Sequence, residues 1–519
     1  MMLRNNGLLL ATSTLLIPVL GSTAAGSTAG TAVAATSPIM ATAKASEWEE
    51  DAVIYQVFVR TFSPEGTLQG VTDRLEYIAS LGVNTIYLMP IHPIGEARRV
   101  GTLGSPYSIR DHLQVDPALG TLADLQELVR KAHALGLRVL LDLVPNHTSF
   151  DNPLVSEHPE WYVRDANGNP LPPNKDWLDV AQLNYADPGL RRYMIDVAAY
   201  WLQETGIDGF RVDAPVYVPL DFWRQFAAEI KTRFPHALLL AESGESWLME
   251  AFDTQYDWNF LPMIADALRK GSDPQLILAE IDYWRDSAGK LIPKLRYLEN
   301  HDHDRFLARF SAEESIPAAT ALFTLPGIPM IYAGQEIGAA VRPPLFDPFQ
   351  LDWNARDERV VELYRQLIGL RQSQAALRRG ELTPIAVAGG DDGDYDGGDN
   401  GGTVRGEGVL AFSRVYGDET LLVVANFRPD PRSVRLDLGS TGHLQNSVDL
   451  ALAEVAPLWT SWRGAEAAPE AEAEAKAEAE TEVTAEVAAG TDTKDAVAGM
   501  LEFVLPPYGA AVYRLVPRP

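Results

Sequence analysis

Four short segments constrain the fold of this chain more than any other feature, because each opens with apolar residues and then stops on polar ones. They are VLLDLVPNH (Val139–His147), DGFRVDAP (Asp208–Pro215), LLLAES (Leu238–Ser243) and RYLENHD (Arg296–Asp302). Each apolar run is too short for an ordinary helix and is typical of a buried strand. In a parallel barrel the carboxyl ends of all strands face one mouth. We therefore expect the polar side chains that end these segments to converge there.

The rest of the pattern predicts a (β/α)8 TIM barrel, because eight strand candidates alternate with amphipathic helical stretches. The predicted strands are Val53–Val59, Val83–Met89, Arg138–Val144, Gly209–Val212, Leu238–Ala241, Thr254–Trp258, Lys294–Leu298 and Pro329–Tyr332. Helices are expected over Val71–Leu81, Leu122–Leu135 and Leu190–Glu204. The barrel is assigned to residues 51–378, and residues 148–185, rich in Pro, Asn, Asp and Trp, are expected to form a short inserted subdomain after strand 3.

From about Gly380 the pattern changes to short alternating strands, which predicts a C-terminal antiparallel β-sandwich over residues 379–519. Its expected strands are Leu382–Val387, Gly408–Val415, Thr420–Phe427, Ser433–Leu438, Leu501–Leu505 and Ala510–Leu515. Two low-complexity insertions interrupt it, at residues 389–402 and 464–499. The first is rich in Gly and Asp but lacks the nonapeptide period of a calcium-binding repeat, and the second is rich in Glu and Ala and cannot build a core.

The N-terminus has the composition of an export signal. Arg4 provides a positive charge near the start, Leu8–Leu20 forms an apolar region, and small residues follow it. Residues 1–34 are therefore assigned to a signal peptide, and residues 35–50 to a linker. The apolar run is too short and too interrupted for an integral membrane span. The chain has no cysteine, which excludes disulfides and a lipoprotein anchor. We expect a secreted protein, extracellular or periplasmic.

The formal net charge is −28, from 71 acidic and 43 basic residues. Nucleic acid is bound through an excess of Lys and Arg, so this balance argues against a nucleic-acid partner. The two insertions hold fifteen of the acidic residues and two of the basic ones. The remaining charge is ordinary for a soluble enzyme.

Three carboxylates are expected at the barrel mouth: Asp213, Glu242 and Asp302. An isolated Asp at a strand end is more often a loop cap, but two close carboxylates on a rigid scaffold are the minimum equipment for cleaving a glycosidic bond. Arg211 lies two residues before Asp213, so both side chains point the same way along a strand. A permanent cation beside Asp213 is expected to keep that carboxylate ionised at neutral pH.

These four segments, in this order and preceded by VIYQVFVRTF (Val53–Phe62), resemble the α-amylase superfamily of retaining α-glucan hydrolases and transferases. The resemblance runs from about Ala52 to the C-terminus, apart from the two insertions. It implies the barrel fold, a double displacement and an α-glucan substrate. It also implies that Asp213 is the nucleophile, Glu242 the general acid and base, and Asp302 the third carboxylate that holds sugar hydroxyls.

The resemblance extends to the residues that contact the sugar. His147 and His301 match the family histidines that donate hydrogen bonds at the cleavage point, although each alone would more often be a core histidine. Tyr107, in SPYSIRD, matches the aromatic residue on which the sugar ring stacks. Arg211 matches the family arginine beside the nucleophile.

The match weakens at the positions of a calcium site. Asn146 corresponds to a family calcium ligand, but Gln182 stands where calcium-dependent members have an acid. Val216 and Tyr217 stand where many amylases have Lys-His. Calcium prefers several oxygens that include carboxylates, so calcium binding is left open, and no organic cofactor is expected. The loss of Lys-His also places a starch-liquefying specificity in question.

The leading interpretation is an exported retaining hydrolase that cleaves α-1,4-glucosidic bonds of starch, glycogen or maltodextrins. The alternatives are a cyclomaltodextrinase or maltogenic amylase, an α-glucanotransferase, or a catalytically inactive sugar-binding homologue. The last is disfavoured because all three carboxylates and Arg211 are present. A monomer is favoured. The sequence does not distinguish between long and short glucan substrates, between endo and exo action, or between water and a sugar as the acceptor.

Overall fold

The computed structural model describes residues 48–285, 289–389, 408–438, 453–461 and 500–517. The predicted signal peptide, nearly all of the linker and the two low-complexity insertions, apart from Gly389, lie outside these residues. Within the described part of the chain, no helix combines the length and the apolar character needed to cross a bilayer.

Eight parallel strands close into a barrel, which confirms the predicted fold class. The strands are β1 (Ile54–Val57), β2 (Thr85–Leu88), β3 (Arg138–Leu143), β4 (Gly209–Val212), β5 (Leu238–Ala241), β6 (Thr254–Tyr256), β7 (Lys294–Tyr297) and β8 (Ile328–Tyr332). Each strand pairs with the next, and β8 pairs with β1 in the register Ile54↔Met330. The predicted first strand was too long, because a helix already begins at Val59.

Helices cover the outside of the barrel. They are α1 (Val59–Phe62), α2 (Leu68–Thr72), α3 (Leu75–Ser80), α4 (Leu122–Ala134), α5 (Leu154–Glu157), α6 (Pro188–Thr205), α7 (Leu220–Arg233), α8 (Phe260–Lys270), α9 (Leu276–Tyr283), α10 (Ala312–Thr324), α11 (Glu358–Ser373) and α12 (Ala375–Arg379). Helix α4 begins with a capping box between Thr121 and Asp124, which satisfies amide groups that have no partner within the helix. Helix α6 begins at Pro188 and ends before the left-handed Gly206.

The prediction of one helix over Val71–Leu81 was wrong. The chain forms α2 and α3 instead, separated at Asp73 and Arg74. Arg74 has a backbone ψ of 8°, outside the helical range, and its guanidinium carbon lies 4.4 Å from the centre of the Trp353 ring. This tertiary contact is not visible in the local pattern.

The segment between β3 and α6 is a compact excursion. His147–Ser149 pairs antiparallel with Val180–Gln182, and α5 and a 3-10 turn at Pro159–Trp161 lie between them. The excursion brings the Trp177 ring to 5.6 Å from the His147 ring and 5.5 Å from the Tyr217 ring. It therefore forms one wall of the barrel mouth.

The C-terminal part is antiparallel, as predicted. Its strands are β9 (Glu381–Pro384), β10 (Ala386–Gly389), β11 (Val409–Tyr416), β12 (Glu419–Asn426), β13 (Arg432–Asp437), β14 (Ala453–Thr460), β15 (Met500–Leu505) and β16 (Ala510–Pro517). A five-stranded sheet has the order β9-β11-β12-β16-β14 and a three-stranded sheet the order β10-β13-β15. The predicted single strand Leu382–Val387 was wrong, because the chain leaves one sheet after Pro384 and enters the other at Ala386. Strand β14 was not predicted.

Alternation along the strands explains how the five-stranded sheet is buried on both faces. Leu410 and Phe412 of β11 pack into the same core cluster as the barrel and its helices. Val409 and Ala411, which point the other way, pack into a second cluster with Val434 and Leu436 of the three-stranded sheet. The larger sheet therefore joins the barrel to the smaller sheet.

Candidate active site

Asp213 and Glu242 directly follow the carboxyl ends of β4 and β5. The Asp213 amide donates to the Leu143 carbonyl at 2.8 Å, and the Glu242 amide donates to the Val212 carbonyl at 3.0 Å. These bonds continue the barrel ladder by one residue and hold both positions at the mouth. Ala214 then turns the chain with a left-handed φ of 43°, and its amide donates to Oε2 of Glu242 at 3.0 Å. The strained turn at Ala214 follows Asp213 directly, and its amide binds Glu242, so the two acids are held next to each other.

The guanidinium of Arg211 connects the carboxylates. Its Nη1 donates to Oδ1 of Asp213 at 3.0 Å, and its Nη2 contacts Oε1 of Glu242. The Arg211 side chain is fully buried, and those of Asp213 and Glu242 are 12% and 13% exposed. The two predicted reacting carboxylates are therefore largely withdrawn from water and share one cation.

Asp142 belongs to the same cluster and was missed by the sequence analysis. It is fully buried, accepts from Nη1 of Arg211 at 2.8 Å and from the Tyr87 hydroxyl at 2.6 Å. The Tyr107 hydroxyl donates to it at 3.2 Å. The sequence does contain an indication of this role, because Asp142 is the one charged residue inside the apolar run VLLDLV. A charge buried in a strand requires a partner.

One guanidinium cannot neutralise three surrounding carboxylates, and the pKa values reflect this. Burial raises the pKa of Asp213 to about 7, because Arg211 opposes the desolvation only in part and Asp142 adds a like charge. Burial also raises the pKa of Glu242 well above its usual value, and the charges of Asp213 and Asp302 add to this. The expectation that Asp213 stays ionised at neutral pH considered Arg211 alone, but Asp142 and Glu242 also bind this cation. Asp213 and Glu242 therefore compete for a proton, and Glu242, whose pKa is raised well above its usual value, is the group that holds it.

Asp302 lies in a tight turn after β7. The Asn300 side-chain oxygen accepts from the amides of Asp302 and His303, at 2.9 and 3.1 Å, and so folds this turn. The Asp302 side chain is 44% exposed, so it faces the mouth more openly than the other two carboxylates. Its pKa is lowered: burial acts to raise it, but the interactions with His301, Arg211 and Arg342 favour the ionised form. One ligand atom from each of Glu242, His301 and Asp302 lies within 4.8 Å of the others.

His301 is held as a neutral ring. Burial lowers its pKa to about 4, and Nε2 of Gln56 donates to its Nδ1 at 2.8 Å. With Nδ1 as the acceptor, the proton lies on Nε2, which is 3.2 Å from Asp302 and 2.7 Å from the Tyr107 hydroxyl. The Nε2–H group therefore faces the Tyr107 hydroxyl and Asp302. Gln56, buried within β1, was a second residue that the sequence analysis missed.

The structure places the remaining predicted site residues around this cluster. The Tyr107 ring stacks against His301 with centres 5.6 Å apart. His147 is buried beside Trp177, and burial lowers its pKa to about 3, so it too is neutral. Arg342, downstream of β8, donates to the His301 carbonyl at 3.1 Å.

The residues around Asn146 do not fit a tight calcium site. The Asn146 side-chain nitrogen lies 3.2 Å from Nδ1 of His147, and the Asn146 backbone carbonyl accepts from the Leu183 amide at 3.0 Å. The Gln182 backbone carbonyl accepts from the Val163 amide. Within the described ranges, the one group of at least three acidic or histidine side chains close enough to share a metal is Glu242, His301 and Asp302, which does not include Asn146. Calcium affinity depends on the number of charged ligands, so this donor set is poor.

A cavity of about 440 Å³ opens beside Glu242, and four aromatic side chains contribute to its lining. Its walls include Trp177 from the excursion, Val216 and Tyr217 after β4, Trp258 after β6, and Trp284 after α9. Tyr217 is 54% exposed and Trp258 37%, which is unusual for such large apolar groups. Flat aromatic faces of this kind offer binding surfaces for the apolar faces of sugar rings.

Comparisons with known proteins identify a family model, curated relatives and similar solved structures. The profile of the α-amylase catalytic domain matches residues 40–354, more than half of the chain. An α-amylase of Haloarcula japonica is 33% identical over 438 residues, which is 80% of this chain but 60% of that protein's own length. A cyclomaltodextrinase of Thermoanaerobacter pseudethanolicus is 27% identical over 437 residues, 74% of this chain and 71% of that protein. The crystal structure of a maltogenic α-amylase from Thermotoga neapolitana superposes with a TM-score of 0.74 at 26% identity, and covers 90% of this chain and 99% of its own.

Proposed function

The chain belongs to the α-amylase family, and on that basis we propose that it is a retaining glycosidase that hydrolyses α-1,4-glucosidic bonds of starch, glycogen or maltodextrins. The observation that carries this proposal is the shared Arg211 guanidinium, which holds Asp213 and Glu242 side by side at the mouth. A retaining mechanism needs two carboxyl groups with opposite proton requirements at close range.

In the first step Glu242 is the acid. Its raised pKa keeps a proton available at neutral pH, and this proton passes to the glycosidic oxygen as the bond to the anomeric carbon breaks. Asp213 attacks the same carbon from the opposite face and forms a glycosyl ester. Arg211 binds Asp213 and favours the ionised form that this attack requires.

In the second step Glu242 has lost its proton and acts as a base. It removes a proton from water, which attacks the anomeric carbon, and the ester bond to Asp213 breaks. Two inversions give net retention of the α-configuration. Asp302, ionised and open to the mouth, and the Nε2–H group of His301 are placed to hold sugar hydroxyls through both steps.

The aromatic cavity beside Glu242 supports a second candidate. It would receive the leaving part of the substrate, and it has Val216 and Tyr217 where many amylases have Lys-His. An apolar surface there favours short or cyclic maltodextrins, and also a sugar acceptor over water. Cyclomaltodextrinase, maltogenic amylase or α-glucanotransferase activity is therefore the alternative, consistent with relatives that carry the first two names.

Product analysis separates these candidates. The purified protein is given maltoheptaose, soluble starch and β-cyclodextrin at equal sugar concentration, and the initial products are resolved by chromatography. Fast release of oligosaccharides from starch supports the leading candidate, and a preference for β-cyclodextrin supports the second. Absence of cleavage in all three, with sugar binding retained, would contradict both and leave a sugar-binding homologue.

Export and a monomeric state are also part of the proposal, and both rest on the sequence. Arg4 and the apolar run Leu8–Leu20 support export, although one relative is by name an intracellular maltogenic amylase. Expression in a bacterial host followed by N-terminal sequencing of the released protein tests export. A mature N-terminus shortly after Ala24 or Ala34 supports it, and an intact Met1 confined to the cytosol contradicts it.

A further inference from the structure

A second cavity, of about 280 Å³, lies at the end of the barrel opposite to Asp213 and Glu242. Its walls come from the residues just before β7 and β8, from the end of α12 and from Arg414 of β11. All of these lie where barrel strands begin or where the five-stranded sheet meets the barrel. The glycosidase chemistry proposed above uses none of them.

The side chains that line this cavity are mainly positive. Six are cationic: Arg285, Lys290, Arg296, Arg378, Arg379 and Arg414. Two are acidic, Glu50 and Glu381. In a chain with a net charge of −28, such a concentration of positive charge at one cavity selects for an anion.

Among the described residues, no carboxylate pairs with two buried arginines near the cavity. Arg414 is fully buried and donates to the carbonyls of Thr324 and Gly380. Behind it, Arg371 is also fully buried and donates to the carbonyl of the cavity residue Gly327 at 2.5 Å. Burial lowers the pKa of Arg371 to about 9 and that of Arg414 well below its usual value, and neighbouring cations add to both effects. Two guanidinium groups therefore lie close to the cavity with backbone carbonyls as their described hydrogen-bond partners.

Arg296 gives an independent indication of a ligand. It is 4% exposed and its Nε donates to Asp257 at 2.8 Å. Its buried Nη1 has no hydrogen-bond partner among the described residues. A buried guanidinium nitrogen without an acceptor is unfavourable, so an acceptor supplied from the cavity would stabilise it.

The other cations hold the rim of the cavity in place. Arg378 and Arg379 share the carboxylate of Asp51, at 2.8 and 2.6 Å. Lys290 pairs with Glu50 at 2.7 Å, and Arg285 with Asp282 at 2.6 Å.

We propose that this cavity binds a phosphate group, either free inorganic phosphate or the phosphate of a small monoester. Guanidinium groups match the oxygens of a phosphate, and its negative charge is complementary to the mainly positive lining of the cavity. The volume is sufficient, since one water occupies about 30 Å³ in the liquid. Bound phosphate would connect β7 and β8 to α12 and β11, and so tie the barrel to the C-terminal sheets.

The test is calorimetric titration of the full chain with sodium phosphate, with sodium chloride at matched ionic strength as the salt control. Glucose 1-phosphate forms a second arm that separates a phosphomonoester from the free ion. We expect saturable phosphate binding, a rise in melting temperature that follows its concentration, and no such effect of chloride. Equal effects of phosphate and chloride would overturn the proposal.

Two substitutions of opposite sign test the location. Arg379→Gln, at a side chain that is 35% exposed, should weaken phosphate binding about tenfold, because a charge-assisted contact is lost. Glu50→Gln should tighten binding, because it removes a competing carboxylate. Arg130→Gln, on the exposed face of α4, is the matched control and should change nothing. If Arg379→Gln and Glu50→Gln both bind like the wild type, the cavity is not the site.

A crystal soaked in selenate provides a direct view, because selenate has the shape of phosphate and a strong anomalous signal. A peak inside the cavity lined by Arg296 and Arg379 would support the proposal. Ordered selenate confined to other surfaces would overturn it. Starch hydrolysis by Arg379→Gln is expected to equal that of the wild type.

Discussion

Nη1 of Arg211 lies 2.8 Å from Oδ1 of Asp142, so the cation that serves Asp213 is also bound by a second buried carboxylate. Asp142 cannot reach water, since its side chain is fully buried. It therefore divides the stabilising charge of Arg211 and adds a like charge near Asp213. Burial raises the pKa of the proposed nucleophile, and the charge of Asp142 raises it further.

The first prediction is that Asp142→Asn moves the acidic limb of the pH–activity profile to lower pH. Catalysis requires ionised Asp213, so activity falls as pH drops through the pKa of that group. Loss of the Asp142 charge should lower this pKa by about one unit, the lower end of what a neighbouring charge produces. The measurement is kcat/KM on maltoheptaose across pH, which reports ionisation in the free enzyme.

Asp253→Asn is the matched control for that variant. Asp253 forms a buried pair with Lys231 at 2.6 Å, but it lies outside the mouth cluster. Loss of the Asp253 charge should reduce the stability of the fold and leave the acidic limb of the pH–activity profile unchanged. An unchanged limb in Asp142→Asn would show that Asp142 does not set the pKa of Asp213.

The second prediction concerns Glu242. Glu242→Ala should lose several orders of magnitude of activity on maltoheptaose, because no other group protonates the leaving oxygen. An α-maltosyl fluoride needs no such proton, so the variant should still be glycosylated by it. Added azide should then release the sugar as the α-azide, seen by NMR. A β-azide would mean that Asp213 and Glu242 have been assigned the wrong way round.

The third prediction separates the ring of Tyr107 from its hydroxyl. The hydroxyl bonds to Asp142 and His301, while the ring is partly exposed at the mouth. Tyr107→Phe should lower kcat about three- to tenfold with little change in KM, since it removes hydrogen bonds only. Tyr107→Ala should also raise KM, because the stacking surface is lost. Equal kinetics of the two variants would argue against a stacking role.

The fourth prediction concerns calcium. Asn146 and Gln182 offer neutral oxygens, so EDTA should lower the melting temperature only slightly and leave most activity in place. Differential scanning fluorimetry with and without EDTA checks this. A fall of roughly 10 °C or more that added calcium reverses would show that a carboxylate of the excursion completes a tight site.

The sequence was sufficient for the barrel and for the carboxylates at its mouth because of where those side chains lie. Asp213, Glu242 and Asp302 each follow an apolar run. In a closed parallel barrel the carboxyl ends of all strands lie at the same mouth, so residues that follow the strands meet there. Asp142 and Gln56 lie inside such runs. A barrel strand is buried on both faces, so its pattern does not separate side chains that face the cluster from those that face the helices.

Other features depend on pairings that no local pattern contains. The change of sheet at Ile385 follows from which distant strands β9 and β10 meet. The aromatic cavity combines Trp177, Tyr217 and Trp258, which come from three separate connections. The pKa of Asp213 was misjudged for a similar reason, since burial and Asp142 outweigh the one neighbour visible in the sequence.

The most direct test of the proposed mechanism is to identify the residue that carries the glycosyl group. Glu242→Gln incubated with 5-fluoro-α-maltosyl fluoride should accumulate the ester, because deglycosylation lacks its base. After digestion at low pH, mass spectrometry should find the added sugar on the peptide that contains Asp213, and Asp213→Asn should remain unlabelled. Label on Asp302, or a β-anomer as the first product of the wild type, would contradict the assignment of Asp213 as the nucleophile of a retaining enzyme.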